Sequence, residues 1–195
     1  MSKTAIILLA AGRSERMGSP KQLLTFCGQP LLRHVTAVAC CSGWDPVIVV
    51  LGAREGEMRT VLSGLPVEIT VNQRWSEGMG TSIQAGLQAL GDREVDGAIL
   101  ALADQPFVTA EFLSRLGQAH ALTGKRIVAS RYSGTVGVPA FFARDAFQEL
   151  NRLKPDQGCK GVLLAHAREA LFIDCPEAAI DIDTPEDYAE TAGFR

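Results

Sequence analysis

Apolar residues arrive in short unbroken runs, separated by stretches in which they recur at helical spacing, and the two patterns alternate along the chain. Residues 4–10 (TAIILLA) form a continuous apolar run of strand length, as expected where both faces of a strand are buried. A glycine-bearing loop, 11–18, follows it. Pro30 then opens a helical stretch, LLRHVTAVACC, that ends at Gly43, matching the preference for proline at a helix start and glycine past its end. The same reading predicts strands over 46–52, 67–72, 98–103 and 126–130, and helices over 55–62 and 81–90. Thr109 is placed as the N-cap of a further helix running to residue 121. Beyond residue 130 the alternation loosens. A loop carrying Gly134, Gly137 and Pro139 leads to helical stretches near 143–150 and 161–166, short strands over 170–173 and 180–182, and a closing helix over 185–191.

Buried strands alternating with helices predict an α/β fold with a mostly parallel sheet and helices on both faces. Ligands of such sheets bind beyond the carboxyl ends of the strands, where strand order reverses. The residues following positions 10, 72, 103 and 182 are therefore expected along one edge.

Composition narrows the picture. With 47% hydrophobic and 21% charged residues the 195-residue chain is ordinary globular protein, expected to form one domain over 1–195 and to bury roughly 70% of its unfolded surface. A net charge of −3 argues against nucleic acid as a partner. The five cysteines include no C-x-x-C pair and the three histidines stand at no metal-like spacing, so zinc is not expected and the cysteines read as reduced, mostly buried apolar residues. The N-terminal apolar run is too short for a signal peptide and no run reaches 18 residues, so no membrane association and a cytoplasmic address are expected.

The loop after the first strand carries the most chemistry. Ala10, Ala11 and Gly12 are small enough for a ligand to approach the backbone, Gly12 can take a positive φ, and successive N–H groups in such a turn bind anions. Arg13, Arg16 and Lys21 bring three positive charges within nine residues, with Glu15 the only acid among them. The spacing is neither a Walker A loop nor G-x-G-x-x-G. A solvated surface turn is the plainer alternative. Asp104 ends an apolar strand and so emerges at the same edge, either as a ligand of a hard cation or as the cap of a turn. In Ile180-Asp-Ile-Asp183 the alternation puts Asp181 and Asp183 on one face, while Thr184, Pro185 and Asp187 make a capping-box-like helix start. Gly78-Met-Gly-Thr-Ser82 enters a helix whose N-terminus offers free N–H groups, unless Thr81 or Ser82 merely caps it.

The pattern L-A-A-G-x-S-x-R-M-G-x-x-K resembles the signature of the nucleotidyltransferases that build molybdenum cofactors. The likeness continues through Gln22-Leu-Leu and Gly28-Gln-Pro-Leu-Leu, and through Asn72 and the segment from Trp75 to Leu87. It returns at Leu102-Ala-Asp-Gln-Pro106, Gly137-Val-Pro-Ala-Phe-Phe142 and Asp181-Ile-Asp-Thr-Pro-Glu-Asp187. The resemblance implies a Rossmann-like nucleotidyltransferase that releases pyrophosphate from an NTP. It makes Arg16, Lys21 and Asp104 catalytic, and Ala10, Ala11, Gly12, Arg13, Ser14, Gly80 and Ser82 nucleotide-binding. It implies Mg²⁺ on Asp104 and Asp183, with Asp181 the fallback. Leu-Ala-Ala-Gly accompanies cytidine in similar chains, which favours CTP, and molybdopterin is the implied phosphate-bearing acceptor, its product passing to a molybdoenzyme. A guanylyltransferase, another small-molecule-phosphate cytidylyltransferase and a non-catalytic nucleotide-binding chaperone are the alternatives. Gly137-Val-Pro139 is read either as the wall of the acceptor pocket or as a structural turn. One departure concerns the acceptor: Pro155, Cys159 and Lys160 stand where the family reads glycine, alanine and arginine, and lysine does not reproduce an arginine fork on phosphate.

Overall fold

The computed structural model describes residues 3–191. Strand β1 (Thr4–Leu9) leads through a long loop to a small antiparallel pair, β2 (Thr25–Phe26) and β3 (Gln29–Pro30), and to helix α1 (Leu31–Cys40). Then come β4 (Val47–Leu51), α2 (Glu55–Leu62), β5 (Glu68–Val71), α3 (Met79–Leu90), β6 (Gly97–Leu102) and α4 (Ala110–Thr123). The chain closes with β7 (Ile127–Tyr132), β8 (Thr135–Ala143), α5 (Phe147–Asn151), α6 (Lys160–Ala165), β9 (Leu171–Asp174) and α7 (Pro185–Glu190).

Seven strands form one sheet in the order β5-β4-β1-β6-β8-β7-β9. β1 pairs in parallel with β4 and β6, whereas β8 runs antiparallel to both of its neighbours; the other six strands therefore share one direction. Strand alternation sorts the core into two layers. Ile6 and Leu8 face α1 and α4 through Leu31, Leu32, Leu113 and Leu116. Ala5, Ile7 and Leu9 face α3 and α6 through Ile83, Leu87, Leu90 and Leu163. Ile6, Ile7 and Leu8 are fully buried, each worth about 1.5–3 kcal/mol, so the strand that launches the cationic loop is among the most firmly held parts of the molecule. Gly86 on α3 lets that helix lie close on the sheet: a Cβ there would overlap Ile7 and approach Val50 Cγ2 to 3.1 Å.

Three expectations need correction. Residues 135–143, expected to be largely loop, form the nine-residue β8. Ser133 and Gly134 both take positive φ (47° and 71°), the geometry of a two-residue hairpin loop, and Tyr132 pairs with Thr135 across it. The register shifts at Ala129/Ser130, opposite the segment that holds Pro139 between Val138 and Ala140, and this irregularity accommodates a residue with no N–H to give the ladder. Second, residues 180–182 are not a strand; Ile182 makes one backbone bond, its N–H to Asp104 O at 2.9 Å, outside any ladder. Third, burial holds for Cys159 and Cys175, while Cys27 and Cys41 are exposed. The helix expected from residue 81 starts two residues earlier, a short 3₁₀ turn at Glu15–Met17 lies within the loop expected over 11–18, and a second follows it at Lys21–Leu23. The helix ends are as expected. Thr109 Oγ1 accepts from Phe112 N, and Thr184 and Asp187 form a reciprocal capping box. No helix among the described residues is long and apolar enough to cross a membrane.

Candidate active site

The strand order reverses between β1 and β6, and a cleft of about 370 Å³ opens there at the carboxyl edge of the sheet. One wall is the loop after β1: Ala10, Ala11, Gly12, Arg16, Lys21 and Gln22. The opposite wall is the end of β6 with Ala103 and Asp104, together with Asp181 and Asp183. Trp75, Gly78, Met79 and Ser82, at the entry to α3, close a third side.

Buried polar side chains hold the first wall in shape. Gln22 is almost fully buried; its Nε2 donates to Gly12 O at 2.9 Å and its Oε1 accepts from Ser14 Oγ at 3.1 Å. Ser14 Oγ also accepts from Lys21 N at 3.1 Å. The loop is thereby tied across its neck. Gly12 itself is not left-handed, contrary to expectation: Ser14 (φ 60°) and Gly18 (φ 71°) make the reversals. A Cβ on Gly12 would meet no protein atom within 4 Å, so its backbone faces open space. Among the described contacts Ser14 serves the loop, and Arg13 pairs with Glu15 and lies over the Trp75 ring at 5.8 Å rather than lining the cleft.

Across the cleft, four charged side chains meet. Lys21 Nζ lies 2.5 Å from Asp104 Oδ2 and 2.6 Å from Asp183 Oδ1, and Arg16 Nη2 lies 2.6 Å from Asp183 Oδ2. Burial pulls the Lys21 ammonium down, but the charges and hydrogen bonds of Asp104 and Asp183 outweigh it and hold the group above the ordinary lysine value. Burial pushes the Asp183 carboxyl up, and its bond to Lys21 with the charges of Lys21 and Arg16 wins, holding it below the ordinary value. Asp181 is raised, first by burial and then by the neighbouring Asp104 and Asp183 carboxylates. Asp104 Oδ1 is buried with no hydrogen-bond partner.

Among the described residues no cluster of three or more His, Cys, Asp or Glu has metal-binding geometry. Magnesium does not need one, since it is held through one or two carboxylates with substrate phosphates and water completing its shell. Asp104 and Asp183 fit that requirement: they converge on one cation position, and Asp104 keeps an unpartnered oxygen beside it. Asp181 lines the cleft without contacting either cation.

On the third side the structure gives a role to a residue that the sequence reading named only within the resemblance and assigned none. Asn72, buried after β5, donates from Nδ2 to Thr81 Oγ1 at 2.8 Å and Ser82 Oγ at 3.0 Å, fixing the Ser82 hydroxyl at the cleft. A polar residue in an otherwise apolar pattern was its signal. The N-cap of α3 is Gly78, without a side-chain cap, rather than Thr81 or Ser82. Gly80 does not line the cleft; its N–H goes to Pro155 O at 2.9 Å, and a Cβ on it would overlap Lys154 O. The 154–157 loop thus packs against the start of α3, while Lys160 begins α6 on a separate groove with Arg152. Gly137 supports the Tyr132 hydroxyl, which any Cβ there would overlap.

The model of the MobA-like NTP transferase domain matches residues 6–170. The purine catabolism protein PucB of Bacillus subtilis (strain 168) is 28% identical over 200 residues, spanning 93% of this chain and 92% of that protein. Nicotine blue oxidoreductase of Paenarthrobacter nicotinovorans is 34% identical over 128 residues, 65% of this chain and 61% of its own. Among solved structures, Rv0371c from Mycobacterium tuberculosis H37Rv superposes with a TM-score of 0.78 and 34% identity over 97% of both chains. A complex of that protein with manganese superposes with a TM-score of 0.79 and 28% identity over 98% of this chain and 99% of the other.

Proposed function

The chain belongs to the MobA-like NTP transferase family and is a nucleotidyltransferase, and on that premise we propose that it transfers CMP from CTP to the terminal phosphate of molybdopterin. The observation that carries the reading is the convergence of Lys21 with Asp104 and Asp183 beside the open backbone of Gly12. In this reading Ala10, Ala11 and Gly12 receive the triphosphate against the loop, Ser82 faces the nucleoside, and Arg16 and Lys21 offset negative charge on the phosphates. A terminal phosphate oxygen of the acceptor attacks the α-phosphorus, a new P–O bond forms, and the bond to the β-phosphate breaks to release pyrophosphate. No protein nucleophile is required, because positioning and charge stabilisation dominate phosphoryl chemistry. Asp104 and Asp183 would hold Mg²⁺, which supplies charge neutralisation to the phosphates when bound. The product would pass to a molybdoenzyme. The cytidine preference rests on Leu9-Ala-Ala-Gly12, as in similar chains.

The test is thermal stabilisation by CTP, GTP, ATP, UTP and NAD, each with and without Mg²⁺, followed by pyrophosphate release with molybdopterin. A ligand at 100 times its Kd adds about 2.7 kcal/mol. Selective stabilisation by CTP and molybdopterin-dependent pyrophosphate release are expected. Selectivity for GTP would replace cytidylyl by guanylyl transfer, and no response to any NTP would refute the reading.

A further inference from the structure

Lys21 occupies the place where the two carboxylates converge. Its ammonium bridges Asp104 Oδ2 and Asp183 Oδ1 at 2.5 and 2.6 Å, and Arg16 takes the second oxygen of Asp183. A magnesium ion at the same point would sit about 2.0–2.1 Å from each oxygen, a displacement of only a few tenths of an ångström per contact. Ammonium and metal therefore compete for one position.

Charge argues the same way. Asp104 and Asp183 are already paired with Lys21 and Arg16, two carboxylates against two cations. Little negative charge is left to strip water from a divalent ion, which dehydrates reluctantly. A triphosphate arriving at the Gly12 loop changes this balance by adding anionic oxygens on the Lys21 side of the cleft. The Lys21 backbone cannot follow, because its N–H is tied to Ser14 Oγ and the adjacent Gln22 is tied to Gly12 O. The four-carbon side chain can, by rotation alone, and among the described residues Asp104 and Asp183 hold its ammonium where it is.

We propose that Lys21 is the resident counter-ion of the metal position: it excludes a divalent cation from the nucleotide-free protein and yields the position to one only when a nucleoside triphosphate draws its ammonium onto the phosphates. Metal and nucleotide thus enter together, and Lys21 couples their binding. This rests on the reading of Asp104 and Asp183 as the cation ligands, and is independent of which base or acceptor the enzyme prefers.

The experiment measures Mn²⁺ binding to the full chain by electron paramagnetic resonance, with no acceptor and no turnover. Wild-type protein is titrated with Mn²⁺ alone, then with Mn²⁺ and CTP or GTP; Lys21→Met and Lys21→Gln, the second keeping a polar tip, are titrated with Mn²⁺ alone. Melting curves show that each variant is folded. Wild-type protein is expected to bind Mn²⁺ alone at least about tenfold more weakly than either variant, tenfold corresponding to about 1.4 kcal/mol. Adding Asp104→Asn to Lys21→Met should abolish the gain. Equal Mn²⁺ affinity in wild type and both variants overturns the proposal. A gain that survives Asp104→Asn overturns it too, by locating the metal elsewhere. Failure of CTP and GTP alike to promote Mn²⁺ binding to the wild-type protein overturns the coupling of metal and nucleotide, even with the gain in the variants intact.

Discussion

The two walls of the cleft are built differently. The acidic wall is an extension of the sheet: Ala103 N–H bonds Leu9 O, Ile182 N–H bonds Asp104 O, and Asp183 leads into a capped helix. The basic wall starts the same way, with Ala10 N–H bonding Val50 O and Ala53 N–H bonding Ala11 O, but beyond Ala11 it is a loop shaped by side-chain bonds that pass through Ser14 and Gln22. On the proposed reading, the carboxylates that would hold a cation at fixed spacing are set in the sheet's extension, and the cations that would follow a substrate sit at the ends of long side chains on a braced loop.

The largest expected effect tests the rigid wall. Asp104→Asn should lower turnover, measured as pyrophosphate release, by about 10³-fold, since the group is meant to act on developing phosphate charge. Its melting temperature should change little, because Lys21 retains Asp183. Lys21→Ala should cost about 10²-fold in turnover, again with little loss of stability; unchanged turnover would falsify its assigned role. Gln22→Ala acts on the brace rather than on the chemistry. Removing a buried side chain with three loop partners should destabilise by about 1–3 kcal/mol in denaturant melts and weaken nucleotide binding more than turnover. A comparable loss from Gln22→Ala and Asp104→Asn in turnover at saturating nucleotide would erase the distinction between the walls.

The smallest effect is on acid stability. Asp183 titrates lower in the folded protein than unfolded, so its contribution is present above the unfolded aspartate value of about 3.9 and disappears as pH falls through the lower folded value. Asp183→Asn should therefore flatten the drop in melting temperature across that acidic range, while leaving the slope near neutrality unchanged.

Much of the fold was legible because buried parallel strands leave unbroken apolar runs. TAIILL, VIVVL and GAILAL needed no tertiary information, and proline, threonine and glycine marked the helix ends. β8 was hidden by Gly137 and Pro139, which read as turn residues yet here seat a tyrosine and fall at a register shift. Residues 180–182 show the converse, an alternating pattern with no neighbouring strand to pair. At the site, Arg16, Lys21 and Asp104 could be placed together because they follow β1 and β6 at one edge, whereas Asp183 was singled out by the resemblance, the strand expected before it being absent. The surroundings of Gly80 could not, since its partners lie more than seventy residues away at Lys154 and Pro155.

Gly86 gives the packing of α3 a further meaning. The helix rests on Ile7 and Val50 through a position with no side chain, and its first turn carries Ser82 to the cleft. Helix and pocket are in effect one lever, with its fulcrum in the core. A methyl group at residue 86 would lift the helix from the sheet and carry that hydroxyl outward, so on the proposed reading nucleotide affinity is tunable from a residue outside the lining of the cleft.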